Sequence, residues 1–67
     1  MEYTNTRISE MIAEYIHSER DRQLLERRLI DGITFERLAE EFELSVSQVK
    51  RIIWKDSEII FRHLKMN

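Results

Sequence analysis

The sequence predicts an all-α fold of four helices, the last of which is the longest. The 67 residues include no proline and one glycine, so the two strongest helix breakers are nearly missing. Apolar residues recur at spacings of three and four, and the alternating β-branched stretches that strands need are missing. A chain of this length has room for one core. We therefore expect a single domain over residues 1–67, with an N-terminal helix in 1–18 and the remaining helices in 19–67.

The first two helices are predicted from apolar stripes that each lie on one face. The first covers roughly residues 6–17, and the second runs from about 19 to 31. Ser18 is suited to cap the second helix, and Gly32 is suited to end it in a left-handed conformation. The stripes consist of Ile8, Met11, Ile12, Tyr15 and Ile16 in the first helix, and of Leu24, Leu25 and Leu29 in the second.

A short third helix is predicted over about residues 35–42, with Thr34 as its cap. Its apolar residues fall at i, i+3, i+4 and i+7, which places them on one face. These residues are Phe35, Leu38, Ala39 and Phe42. Ala39 is small and central in this stripe, so another helix can approach closely there. Glu43 and Leu44 then form a tight turn.

The fourth helix is predicted to run from Ser45 to Lys65, because no glycine or proline interrupts it. Ser45 and Gln48 have the spacing of a capping box at its start. Its apolar arc consists of Val49, Ile52, Ile53, Ile60 and Leu64. Asp56 falls near this arc, and we expect it to pair with an arginine such as Arg28.

The third and fourth helices, with the turn between them, match the helix-turn-helix arrangement. This arrangement needs a small residue in its first helix, an apolar residue in the turn, and buried residues one turn into its second helix. Ala39, Leu44, Val49 and Ile52 meet these needs. The fourth helix then presents its remaining residues outward, where a recognition helix contacts the major groove of DNA.

The outward residues of the fourth helix are the predicted DNA contacts. We expect base contacts from Val46, Ser47, Lys50 and Arg51. We expect phosphate contacts from Arg37, Ser45, Gln48 and Lys55. The net charge is −2, but residues 1–44 hold six arginines and eleven acids, whereas residues 45–67 hold five basic residues and two acids. This asymmetry is compatible with one cationic face.

The stretch DRQLLERRLIDGITFERLAEEFELSVSQVKRIIWK resembles region four of the housekeeping-type bacterial sigma factors, which reads the upstream promoter element. The resemblance spans residues 21–64. It is carried by Arg28, Leu29, Gly32, Thr34, Leu38, Ala39, Phe42, Leu44, Ser45, Val49 and Ile52. It implies a DNA-binding fold in which the four predicted base-contacting residues face promoter bases and the nearby backbone.

The chain departs from the sigma pattern in three respects. Val46 and Ser47 stand where the family usually has long polar side chains, and Trp54 stands where a small residue is frequent. The chain also leaves no room for the parts that melt DNA and hold polymerase, so we expect a free-standing sigma-like protein. The LuxR-type response-regulator domain has a similar core but usually breaks after its recognition helix, and the uninterrupted pattern over 45–65 favours the sigma-like interpretation.

Trp54 and Phe61, seven residues apart on one side of the fourth helix, have two interpretations. In the first, helix one folds over both rings and completes the core. In the second, the rings form an interface for a homodimer or for another protein, since large exposed aromatic pairs usually mark interfaces. The second interpretation supplies an alternative function, a protein-interaction module that docks on RNA polymerase or on an anti-sigma-type partner.

The residues argue against several other classes of function. The chain has no cysteine and no glycine-rich phosphate loop, so we expect neither an enzyme nor a small-molecule substrate. His17 and His63 lack ligand spacing, so we expect no metal and no cofactor. No apolar run reaches the length of a membrane span, and we expect a cytoplasmic protein without a membrane partner. The predicted function is a bacterial, sequence-specific transcription regulator whose partner is double-stranded DNA.

Overall fold

The computed structural model describes residues 4–65, which form four helices and no strand. The helices are α1 (Asn5–Tyr15), α2 (Glu19–Leu29), α3 (Phe35–Phe42) and α4 (Val46–Lys65). This confirms the all-α class, the number of helices and the length of the last one. The first two helices each end two residues earlier than predicted, because the chain turns at Ile16 and Ile30. No helix within residues 4–65 combines the length and the apolarity needed to cross a bilayer.

Local sequence signals determine where the first three helices begin. Thr4, Ser18 and Thr34 each accept a hydrogen bond from the backbone amide three residues later, at 3.1, 3.3 and 3.2 Å. Each of these residues has an extended backbone, as an N-cap requires. The three caps therefore stop the helices from extending backwards into the connecting segments.

Two left-handed residues end α2 and α3. Gly32 has a φ of 70°, which a residue without Cβ adopts at little cost, and the Ile33 amide then reaches back to the Arg27 carbonyl at 3.1 Å. Glu43 has a φ of 56° and a ψ of 44°, and the Leu44 amide donates to the Ala39 carbonyl at 2.9 Å. The corner after Glu43 separates α3 from α4, as the sequence predicts.

The core lies between one face of α4 and the other three helices. Its buried apolar residues are Met11, Ile12, Ile16, Leu24, Leu25, Leu38, Ala39, Val49, Ile53 and Ile60. Ile52, which the sequence predicts to be buried, is only partly so, as are Phe35 and Phe42. Polar contacts also tie α1 to α2, because Ser9 donates to Glu26 at 2.6 Å and the Arg22 guanidinium donates to the Ile16 carbonyl.

Helix α1 does not cover Trp54 and Phe61, so the first interpretation of these residues is wrong. The two residues are 63% and 49% exposed. They lie more than a right angle away from the buried face of α4, and α1 packs on that buried face instead. There Tyr15 stacks on His63, with ring centroids 3.8 Å apart and an interplanar angle of 5°.

The predicted pairing of Asp56 with an arginine such as Arg28 is also wrong. Arg28 lies elsewhere, where it donates to the Ile33 carbonyl at 2.9 Å and its guanidinium lies 4.1 Å from the Phe35 ring centroid. Asp56 is 4% exposed, and its Oδ2 atom has no hydrogen-bond partner among the described residues. Burial and the neighbouring Asp21 carboxyl raise the pKa of Asp56 from 3.8 to about 6.

Candidate nucleic-acid interface

The first turn of α4 is held in place by a reciprocal pair of hydrogen bonds. The Gln48 amide donates to Ser45 Oγ at 3.1 Å, and the Ser45 amide donates to Gln48 Oε1 at 2.9 Å. This is the capping box that the sequence predicts. It occupies two of the amides at this helix end, so in the described chain the amides of Val46 and Ser47 are the ones left to bind an anion.

The four predicted base-contacting residues differ in exposure. Ser47 and Arg51 are exposed, whereas Val46 and Lys50 are half-buried. Val46 packs against the core, and the Lys50 ammonium lies 5.7 Å from the centroid of the Phe35 ring. The surface available to a ligand is therefore narrower than predicted, and it centres on Ser47 and Arg51.

Five of the exposed side chains of α4 form one continuous stripe. Ser47, Arg51, Trp54, Glu58 and Phe61 follow each other at spacings of four and three, which places them on one face of a helix. We call this face the outer stripe. It is cationic near Arg51, aromatic at Trp54 and acidic at Glu58.

The predicted phosphate contacts outside the capping box differ in their surroundings. Lys55 is exposed on α4. Arg37 is exposed as well, but its guanidinium lies 3.2 Å from Glu41 and it shares a surface groove with Glu36 and Glu40. These carboxylates disfavour a phosphate at Arg37, since they would repel it. Lys55 is therefore better placed than Arg37 for a phosphate contact.

Glu41 is held in its ionised form by two arginines. Arg27 donates to both of its oxygens, at 2.7 and 2.9 Å, and Arg37 adds the contact already described. The hydrogen bonds from Arg27 lower the pKa of Glu41 against the opposing effect of partial burial. This cluster ties α3 to α2 and lies apart from the outer stripe.

Sequence reasoning missed Arg20 as a candidate site residue. Arg20 lies in the first turn of α2 and lines a notch of about 160 Å³ together with Leu44, Gln48, Arg51 and Ile52. Its guanidinium also donates to the Asp21 carboxylate at 3.3 Å. The packing of α2 on α4 brings two arginines to one notch although they lie far apart in the chain. No local pattern in the sequence indicates this.

The exposed residues of the first half of α4, together with Arg20, form a surface that carries hydrogen-bond donors, and we call this surface the ridge. Arg20, Arg51 and Lys55 present guanidinium and ammonium groups around the exposed first half of α4. A ridge of this kind suits an extended anionic surface better than a small enclosed ligand. Comparison of the chain with known protein families, with curated proteins and with solved structures found no match.

Proposed function

We propose that the chain is a transcription regulator of sigma region-four type that binds duplex DNA through the first half of α4. The observation that carries this proposal is the exposed, cationic start of α4, held at a fixed angle to α3 by the corner at Glu43. In this proposal α3 and α4 form a helix-turn-helix, and α4 enters the major groove.

The residues of the ridge take different roles in the proposed complex. Arg51 donates two hydrogen bonds to a guanine edge, and Ser47 donates to or accepts from a neighbouring base. Val46 and Lys50, which are half-buried, contribute at the margin of the groove, Val46 against a thymine methyl. Phosphates of the flanking backbone are contacted by the side chains of Arg20, Ser45, Gln48 and Lys55 and by the free backbone amides of Val46 and Ser47. Arg37 contributes least, because carboxylates surround it.

The small number of contacts that this geometry allows predicts a modest DNA affinity for a single copy of the chain. A bidentate arginine contact contributes about 1–3 kcal/mol of discrimination between bases. Two to four phosphate contacts predict that the logarithm of affinity falls with the logarithm of salt at a slope of about −2 to −4. Binding should therefore weaken clearly between low and physiological salt.

The test starts from a duplex selected out of a random pool and labelled for fluorescence anisotropy. Arg51→Ala is expected to weaken binding about tenfold or more, as expected for loss of a bidentate base contact. Arg62→Ala is the matched control, since it removes the same charge from the exposed second half of α4, where Arg62 pairs with Glu58 at 2.8 Å. Equal losses in the two variants would show that only net charge matters and would overturn the assignment of the ridge.

A second candidate function is supported by the exposed aromatic pair on the outer stripe. Trp54 and Phe61 line a groove of about 390 Å³ together with Ser57, Glu58 and Arg62. An apolar groove of this kind suits a protein partner, such as RNA polymerase, an anti-sigma-type protein or a second copy of the chain. Sedimentation of wild type and Trp54→Ala, alone and with core polymerase, tests this function. If Trp54→Ala sediments like wild type both alone and with core polymerase, the aromatic pair is not an interface and this second function is excluded.

A further inference from the structure

Trp54 occupies a distinctive position on the outer stripe. It is the most exposed large apolar side chain among residues 4–65, at 63%. Lys50 and Arg51 lie one turn before it on the same side of α4, and Lys55 follows it directly in sequence. A large apolar ring among three cations is costly to leave in water, and it suits a surface that is both anionic and partly apolar.

The rise along the α4 axis gives the distance between Trp54 and the proposed base-contacting residues. Seven residues separate Ser47 from Trp54, which is about 10 Å of helix rise. The major groove of B-DNA is about 12 Å wide. A helix that places Ser47 over the bases therefore brings Trp54 to the rim of the groove, where sugars and phosphates lie.

Glu58 sets the far limit of any such surface. It is the next residue of the outer stripe, one turn after Trp54. Its carboxylate pairs with the Arg62 guanidinium at 2.8 Å, so this end of the stripe carries no net positive charge to attract phosphates. Phe61 lies a further turn away, about 21 Å of helix rise from Ser47. The cationic surroundings thus include Trp54 and exclude Phe61, although both rings line one groove.

We propose that Trp54 is part of the DNA-contacting surface and that Phe61 is not. This inference rests on the proposed function. The indole ring lies against a deoxyribose at the rim of the groove, and its N–H donates to the adjacent phosphate. The occupant of the Trp54 end of the groove is therefore duplex DNA.

The chain contains one tryptophan and two tyrosines, so emission excited at wavelengths that tyrosine does not absorb reports on Trp54 alone. The probe is the selected duplex, and the measurement is quenching of Trp54 emission by acrylamide, with and without saturating DNA. We expect the bound duplex to lower the quenching constant at least about twofold, because it covers an exposed ring. Phe61→Ala should leave this protection intact.

Affinity provides an independent readout. Trp54→Ala is expected to weaken binding about five- to tenfold, and Phe61→Ala is expected to change it less than about twofold. Both side chains are outside the core and about half or more exposed, so both variants should keep the wild-type fold, which circular dichroism can verify. The pair is matched in chemistry, helix face and groove, and differs in distance from the cationic half of α4.

The outcomes separate this inference from the proposed function. If the duplex binds in an Arg51-dependent manner while Trp54 stays equally quenchable and Trp54→Ala binds normally, the inference is overturned and the proposed function stands. If wild type binds no selected duplex, both the inference and the proposed function are wrong. If Trp54 becomes shielded with rising protein concentration in the absence of DNA, and Trp54→Ala sediments as a smaller species, the occupant is a second copy and the inference is wrong.

Discussion

Replacing Asp56 by asparagine is expected to stabilise the protein at neutral pH. Asp56 is buried on the core side of α4 beside Asp21, and its Oδ2 atom has no hydrogen-bond partner among the described residues. An ionised carboxylate in this position loses its hydration and faces a second carboxylate. Asparagine has nearly the same shape and no charge, so it removes both costs.

The pKa of Asp56 gives the size of the effect. Its rise from 3.8 to about 6 corresponds to roughly 3 kcal/mol against the ionised form, at about 1.4 kcal/mol per pKa unit. The amide keeps polar atoms in a buried position, and leaving one of them unpaired costs about 1 kcal/mol or more. The expected net gain for Asp56→Asn at pH 7.5 is therefore about 1–2 kcal/mol, or roughly 5–15 °C in Tm for a domain of this size.

The sign of the pH dependence follows from linkage. Because the folded-state pKa of Asp56 lies above the unfolded one, the folded protein binds more protons between the two values. The stability that the wild type gains from holding a protonated Asp56 is fully present below about pH 3.8, declines as the pH rises, and is lost above about pH 6. Lys55 and Arg20 partly oppose this shift, and burial and Asp21 dominate it.

Urea unfolding followed by circular dichroism at several pH values between 3.5 and 7.5 measures this effect. Asp56→Asn should be the less stable protein near pH 3.8, where Asp56 is protonated and only the cost of the buried amide remains. It should gain on the wild type as the pH rises and keep a constant advantage above about pH 6. Glu58→Gln is the matched control, because it neutralises an exposed carboxylate on the same helix and should lack this profile. An Asp56→Asn protein that is less stable at pH 7.5, or whose advantage is the same at every pH, would refute the reasoning.

Two further predictions concern the turns and caps. Gly32→Ala should destabilise by about 1 kcal/mol and Glu43→Gly should stabilise by a similar amount, because both positions are left-handed and only glycine adopts that conformation freely. No atom lies within 4 Å of a Cβ built at Gly32, so the cost of Gly32→Ala comes from backbone conformation alone. Thermal melts in which the Tm of both variants moves in the same direction would contradict this explanation. Ser45→Ala should cost about 1 kcal/mol through loss of the α4 cap, whereas Ser47→Ala, two residues later and exposed, should be nearly neutral in the same melts.

The helix starts and the class of fold follow from the sequence because their causes are local. Thr34 and Ser45 bond to amides three residues away, and Gly32 satisfies a local backbone requirement. Such interactions depend on little beyond the neighbouring residues, so spacing alone predicts them. The buried stripe of α3 is predicted for the same reason, since helical periodicity determines which residues share a face.

The features that sequence reasoning missed depend on how the helices pack. The approach of Arg20 to Arg51 and of Asp21 to Asp56 requires the angle between α2 and α4, which no short pattern encodes. The half-burial of Lys50 depends in the same way on where α3 places the Phe35 ring. The exposure of Trp54 also depends on packing, because α1 packs on a different face of α4 and leaves Trp54 in solvent.

Helix α4 carries two sets of residues with nearly independent roles, one that builds the core and one that faces solvent. Val49, Ile53 and Ile60 hold the other helices together, while Ser47 and Arg51 make no contribution to the core. Substitutions at the second set leave the folding free energy almost unchanged. If the ridge binds DNA, its sequence preference can therefore diverge rapidly among descendants of this chain while their scaffold stays the same.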